Sequence, residues 1–229
     1  MRILALDTAT QACSTALLTA DRAITRELLT ERGHAEHILS MVDAVLAEAG
    51  IALTQVAVLA FGRGPGAFTG VRLAASVAQG LAYAAQLPVV PVSDLSAVAQ
   101  RAFAEDPQLD HVLVCQDARM QEIYWGCFDR GADGLALGVG AEEVSAVGAV
   151  ELPAHWRGRI GGAGQGFRAY PDLKITFKDA LASIKEDLLP RALEIARLAW
   201  PAAVAGRTLD AQEALPVYIR DNVTRTSRN

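Results

Sequence analysis

Short apolar runs that stop at small or acidic residues alternate along this chain with longer stretches of helical periodicity. Ile3-Leu4-Ala5-Leu6 is one such run and stops at Asp7. Cys13 to Leu18 and Ala23 to Leu29 follow, with Ala20-Asp21-Arg22 as a tight connection, so the chain is predicted to open as an antiparallel meander. Ile38, Met41, Val42, Val45, Leu46 and Ala49 then recur at the spacing of one helical face, which predicts a helix from His34 to Ala49 stopped by Gly50. Val56 to Phe61 reads as a buried strand, Val71 to Ala85 as an alanine-rich helix, and Leu87 to Val92 as a strand with proline at its edges. Ser93-Asp94 caps a further helix to about Ala104.

Pro107 to Asp110 reads as a linker, and the opening pattern then returns. His111 to Gln116 is an apolar strand that stops at Asp117; Glu122 to Phe128 and Leu135 to Val139 are strands after it. Asp117 repeats Asp7 at an offset near half the chain, an internal duplication. Beyond it the pattern predicts a short helix at Glu142 to Val147, a strand running into Gly161-Gly162-Ala163-Gly164, a helical turn at Asp179 to Ile184, and a helix from Asp187 to Trp200 stopped before Pro201. Val217 to Arg220 is a last extended piece, and the tail from Asn222 to Asn229 carries Arg225 and Arg228. These elements make an α/β protein of two subdomains, residues 1–106 and 107–229, each a mixed sheet with flanking helices.

One block is neither helix nor strand. Gly62-Arg63-Gly64-Pro65-Gly66-Ala67-Phe68-Thr69-Gly70 lies between the strand ending at Phe61 and the helix from Val71, with Thr69 as its expected N-cap. Glycine belongs where φ is positive or where another backbone comes close. Two readings follow: backbone N–H groups cradling an anion, helped by Arg63 and Arg72, or a sharp turn that serves packing. No Lys-Ser/Thr follows the glycines, so this is not a Walker A loop.

Composition narrows the choices. The 229 residues carry a net charge of −5 and neither half is basic, which speaks against an independent nucleic-acid binder. The three cysteines are isolated, a pattern of a reducing compartment, and no apolar run reaches membrane-spanning length, so a cytoplasmic protein is expected. His34 and His37 could share a metal or mark an interface at the helix start; no acidic or histidine partner with ligand spacing stands nearby, so no metal is assigned.

The two strand–Asp–turn–strand units resemble the actin-like ATPase fold, in which paired Asp turns clamp ATP phosphates and a Gly-Gly turn holds adenosine. A sharper resemblance rests on Ile3 to Thr10, Gly62 to Arg72, Asp117 to Trp125 and Pro216 to Arg220. In order and spacing these are similar to the TsaB (YeaZ) family, over the whole chain. That resemblance implies a non-catalytic subunit in making threonylcarbamoyladenosine at position 37 of tRNA. It implies a heterodimer with the catalytic paralogue TsaD, joined by the ATPase TsaE, a homodimer when the partner is absent, and only indirect contact with tRNA. It places the partner contact on the helices 34–49 and 71–85: His34, His37, Ile38, Met41 and Val45, with Arg72, Ala74, Ala75, Ala78, Gly80 and Ala82. The small face of the second helix suits close helix packing, which would offset Gly80 in its interior.

The residues also bear on activity. Catalytic members of the fold place glycine soon after the first Asp; here Thr8-Ala9-Thr10 follows Asp7, and Ala118-Arg119-Met120 follows Asp117. The His-x-x-x-His metal pair of TsaD has no counterpart among the four histidines, and there is no arranged protease set. No enzyme activity and no bound cofactor are expected of the lone chain. Asp7, Arg63, Gly64, Gly66, Asp117, Arg119, Gly161 and Gly162 form a candidate site for ATP or ADP at the subunit joint; the alternative is that Asp7 and Asp117 cap their own turns and Arg119 pairs within the chain. The competing function is an ATP-dependent small-molecule kinase or ATPase of the same fold.

Overall fold

The computed structural model describes residues 1–220; the tail from Asn222 to Asn229 lies outside the described residues. The first sheet contains β1 (Arg2–Asp7), β2 (Ala12–Thr19), β3 (Ala23–Leu29), β4 (Val58–Gly62) and β5 (Val89–Val92), in the order β3-β2-β1-β4-β5. The second contains β6 (His111–Asp117), β7 (Glu122–Arg130), β8 (Ala136–Ala146), β9 (Ile160–Ala163) and β10 (Ser183–Lys185), in the order β10-β9-β6-β7-β8. In each, the central strand ends in Asp, pairs antiparallel with the next strand in sequence and parallel with the strand on its other side. The two five-stranded sheets have one wiring, so the duplication read from Asp7 and Asp117 extends to topology.

Among the described residues six helices flank the sheets: α1 (His34–Ala49), α2 (Phe68–Ala85), α3 (Asp94–Glu105), α4 (Gly166–Ala169), α5 (Asp172–Thr176) and α6 (Ala192–Val204). α1 ends where Gly50 turns left-handed at φ 67°. α3 starts where the Ser93 hydroxyl accepts the Ser96 N–H at 3.2 Å. Apolar residues of α1 and α2 cover one face of the first sheet, with Leu4, Leu6, Leu59 and Phe61 beneath Val42, Val45 and Ala78. The opposite face, Ile3, Ala5, Val58 and Ala60, is covered by Ile195, Ala196 and Ala199 of α6. Leu95, Val98 and Ala102 of α3 pack instead on Val112, Val114 and Phe128 of the second sheet. The sheets lie on either side of residue 106 and the helices do not follow them: each half sends one helix to the other's sheet.

Several elements differ from the sequence reading. Residues 142–146 are not helical but continue β8, because Glu143 and Val144 pair with Trp125 and Tyr124 across a bulge. The helical turn expected at 179–184 lies earlier, at α5, and Ser183–Lys185 pairs with Gly161–Ala163 as an edge strand. α6 begins at Ala192 and runs through Pro201 to Val204; proline removes one N–H, yet its carbonyl still accepts from Ala205 at 3.1 Å in the last turn. Thr69 is not the N-cap of α2, which starts a turn earlier after Ala67.

The helix faces require a further correction. Ile38, Val45, Ala74, Ala75, Ala78 and Ala82, expected at a partner surface, are buried in the chain's own core. The small volume of the four alanines lets α2 lie close on β4 and β1, and Met41 packs half-buried against the same cluster. What α2 leaves outside is a different stripe: Phe68, Arg72, Ser76, Gly80 and Tyr83, the last 82% exposed. A Cβ added at Gly80 would meet nothing within 4 Å beyond its own helix. Gly80→Ala is therefore expected to stabilise the chain by about 0.5–1 kcal/mol. Ala78→Glu, which forces a charge into a fully buried site, should destabilise it by about 3 kcal/mol or more. Urea unfolding of the two variants separates the faces, and equal effects would mean the burial assignment is wrong.

Candidate functional site

β1 and β4 are parallel neighbours, so the turns after Asp7 and Gly62 emerge side by side. The Asp7 turn closes on itself: Asp7 Oδ1 accepts the Ala9 N–H at 2.9 Å. The glycine turn then packs directly on it. Ala67 N–H donates to Ala9 O at 2.8 Å, and Thr8 Oγ1 donates to Gly70 O at 2.7 Å. A Cβ on Gly66 would stand 2.6 Å from Ala9 O, and one on Gly70 only 2.1 Å from Thr8 O. The backbone that these glycines admit is the chain's own.

A buried carboxyl pair lies under this contact. Asp7 and Asp94 are both essentially inaccessible to solvent. Gly62 lies between them, since a Cβ there would be 2.5 Å from Oδ1 of each, so the two oxygens are no more than twice that distance apart. Asp94 Oδ2 accepts the Gly64 N–H at 2.5 Å, at a residue whose φ of 100° suits glycine. Asp7 Oδ2 and Asp94 Oδ1 have no donor from any other group. Burial, opposed by hydrogen bonds from Ala9 and Asp94, pushes the Asp7 carboxyl up to about 6. Burial first, then the Asp7 charge, holds Asp94 well above the carboxylate range. Two buried carboxyls this close favour holding a proton on the pair, which removes a like-charge repulsion.

Glu142 of β8 reaches this cluster from the second sheet. Its carboxyl bonds the Ser93 hydroxyl and stands 3.8 Å from Arg63 Nη2. Burial raises its pKa, against the Ser93 hydrogen bond and the Arg63 charge. Neither Asp94 nor Glu142 was foreseen as part of a site. Asp94 read as helix-cap sequence, and Glu142 was placed in a helix.

The second Asp turn is self-contained. Asp117 Oδ1 accepts from Arg119 N–H at 2.8 Å and Tyr170 O–H at 3.0 Å, and Oδ2 pairs with the Arg119 guanidinium at 3.1 Å. Arg119, Met120 and Gln121 all have positive φ, at 62°, 56° and 62°, a strained run that these bonds hold in place. Of the candidate joint residues, the structure gathers Asp7, Arg63, Gly64 and Gly66 around one contact, and pairs Asp117 with Arg119 at another. Gly161 and Gly162 face apolar side chains: added Cβ atoms would meet Leu109 at 2.7 Å, and Leu181 and Phe167 at 2.9 Å. His34 Nε2 donates to Thr10 O at 2.9 Å, tethering α1 to the Asp7 turn. Among the described residues no group of His, Cys, Asp or Glu is arranged to hold a metal. Backbone packs against the turn after Asp7, and apolar side chains pack against the second-half glycines.

Two sheets of one wiring, each centred on a strand that ends in Asp, with helices exchanged between them, define a two-subdomain actin-like α/β protein. The family model described as TsaD: tRNA N6-adenosine threonylcarbamoyltransferase matches residues 27–225. The tRNA threonylcarbamoyladenosine biosynthesis protein TsaB of Escherichia coli K12 is 39% identical, with 97% of this chain and 96% of that protein covered. The crystal structure of YeaZ from Pseudomonas aeruginosa superposes with a TM-score of 0.84 at 42% identity, covering 95% of this chain and 99% of the other. A second structure from that organism, described as an uncharacterized protein with similarity to peptidase YEAZ, gives 0.88 at 43% identity over 96% and 99%. The chain belongs to the TsaB (YeaZ) family.

The shared proton has a pH signature. Asp7 and Asp94 titrate higher in the folded chain than the usual value near 4 for the unfolded one, so the native state holds the extra proton. The stability it supplies is full below about pH 4 and is lost as pH rises through about 6, the folded value for Asp7, and beyond. Asp94→Asn supplies a neutral donor at every pH. It should flatten the stability profile and raise stability at pH 8 by at least about 1 kcal/mol. Urea titrations at pH 5 and pH 8 test this; identical pH slopes for the two proteins would refute proton sharing.

Proposed function

We propose that this chain is a non-catalytic subunit in the formation of threonylcarbamoyladenosine on tRNA, and that it acts by pairing with the catalytic paralogue TsaD. The observation that carries the reading is the filled first-half cradle. Where an actin-like enzyme would admit phosphate beside Asp7, this chain seats Gly66 and Gly70 on the carbonyls of Ala9 and Thr8. Support comes also from the relatives' names and from the TsaD family model, which matches most of the chain. In this reading TsaE joins the pair, tRNA is reached through TsaD, and the lone chain forms homodimers in the cytoplasm. Among the described residues no helix is long and apolar enough to cross a membrane. ATP or ADP is assigned to the assembled joint, with Arg63 and Arg119 as the accessible cations on this side.

The outer stripe of α2 is the pairing surface we favour. Gly80 carries no side chain on a fully open helix face, and Tyr83 is the most exposed large hydrophobic side chain of the described residues. Glycine in a helix interior costs about 1 kcal/mol relative to alanine, and among the described residues no neighbouring group packs within 4 Å of an added Cβ there. A second helix packed against Gly80 would offset that cost. Leu39 of α1 and Arg72 of α2 extend the exposed residues of the same two helices.

The competing reading, a kinase or ATPase, predicts micromolar Mg-ATP binding by the isolated chain, which calorimetric titration would detect. Reconstituting tRNA modification with and without the chain tests the pathway role. Gly80→Arg and Tyr83→Glu should each abolish co-purification with TsaD and the modification it supports, without lowering the melting temperature of the lone chain by more than about 2 °C. Retention of the complex by both variants would remove α2 from the interface.

A further inference from the structure

The last described segment, after α6, has a contact pattern that neither the fold nor the pairing explains. Its root is fixed in the first lobe. Leu209 bridges Val89 of β5 with bonds of 2.9 Å in both directions, and Ala214 is fully buried in the core beneath α2. From there Val217 N–H donates to Arg63 O at 2.8 Å, and Gly64 lies so close that an added Cβ would be 3.0 Å from Val217 O. Arg72 Nε donates to the Tyr218 hydroxyl at 2.7 Å, with its guanidinium 3.5 Å from the Phe68 ring centroid. The segment then leaves the first lobe. Arg220 Nη2 donates to Ala118 O at 3.0 Å and to Glu122 Oε2 at 2.6 Å, in the strained turn that follows β6 of the second sheet. Only 20% of the Arg220 side chain is exposed.

We infer that residues 215–220 form an intramolecular clasp that ties the glycine turn of the first lobe to the Asp117 turn of the second. One of the two is the Asp117 turn, and the other packs directly on the Asp7 turn, its counterpart in the first sheet. Here a covalently attached strand of the chain makes the connection, so the lobes are held without a ligand. The bonds at the far end are charge-assisted and sheltered, which makes them the stronger kind. Gly64 serves the clasp twice: its φ of 100° shapes the turn, and its missing side chain leaves space for Val217 O. The clasp also braces Arg119 to Gln121, because Arg220 holds the carbonyl one residue before them.

The inference concerns the lone chain, so its failure leaves the pairing with TsaD untouched, and the reverse holds. Amide hydrogen exchange on the full chain tests it. Arg220→Ala should speed exchange at Val217 and at Glu122 by about tenfold, the worth of one charged hydrogen bond, with β1 and β4 unchanged. Gly64→Ala acts from the other end, forcing Val217 away, and should speed exchange at Glu122 in a turn it does not touch. Exchange that changes only on the side of each substitution would overturn the clasp. Should Arg220→Ala prove too unstable to measure, the response of Glu122 to Gly64→Ala decides alone.

Discussion

Backbone meets backbone, with no side chain between, where the turn after β4 lies on the turn after β1. Gly66 and Gly70 sit against the carbonyls of Ala9 and Thr8 at distances no Cβ could share. That contact sets the direction in which α2 leaves the sheet, because the Ala67 N–H bonded to Ala9 O stands at the first residue before the helix. It also buries Asp7. A carboxyl enclosed in this way is held toward its protonated form, and Asp94, delivered to the same place by the start of α3, is held there further by the Asp7 charge. The glycine turn, the carboxyl pair and the entry of α3 are therefore one arrangement, and removing any part exposes an unsatisfied group in the others.

The arrangement determines how the lobes are held. α3 begins at the carboxyl pair in the first lobe and packs on the second sheet, while α6 returns from the second half to cover the first. α3 and α6 also touch each other, with Leu198 packed against both interior clusters. An enzyme that must open and close around a nucleotide needs lobes that can part. Glu142 reaching from β8 to Ser93 and Arg63 resists parting, and so does Arg220 bonded to the turn after β6. Both ties are made by the chain's own side chains.

Much of this was legible along the chain, and the failures have a common cause. Local signals sufficed where local forces decide. The spacing from Ile38 to Ala49, with Gly50 after it, fixed both ends of α1, and the repeated apolar run ending in Asp marked the central strand of each sheet. Long-range packing was invisible. Glu143 and Val144 look helical in isolation, yet β7 offers them a strand partner, and pairing overrides propensity. The small face of α2 was correctly seen as a packing face but given to the wrong neighbour, because periodicity reveals that a stripe is buried without saying by what. Asp94 is the sharpest case. Nothing in Ser93-Asp94 distinguishes an ordinary helix start from a carboxyl placed near Asp7 because β5, which leads into it, runs parallel to β4 with β1 on the other side.

The glycine block carries a more general point. Glycines before a helix are read as a phosphate cradle because they bare N–H groups at a positive helix end. The physical content of the pattern is narrower: something without room for a side chain must come close. In this chain that something is identified atom by atom as Thr8 and Ala9 in one direction and Val217 in the other. A phosphate and a protein carbonyl both satisfy bare N–H groups, so the same sequence serves either, and only the content of the neighbouring turn separates them. Thr8-Ala9-Thr10 after Asp7, in place of glycine, fills that turn with atoms of the chain itself. A binding motif and a packing motif thus differ here by a few side-chain atoms in the adjoining turn, and it is that turn which decides whether the fold holds a nucleotide or holds itself together.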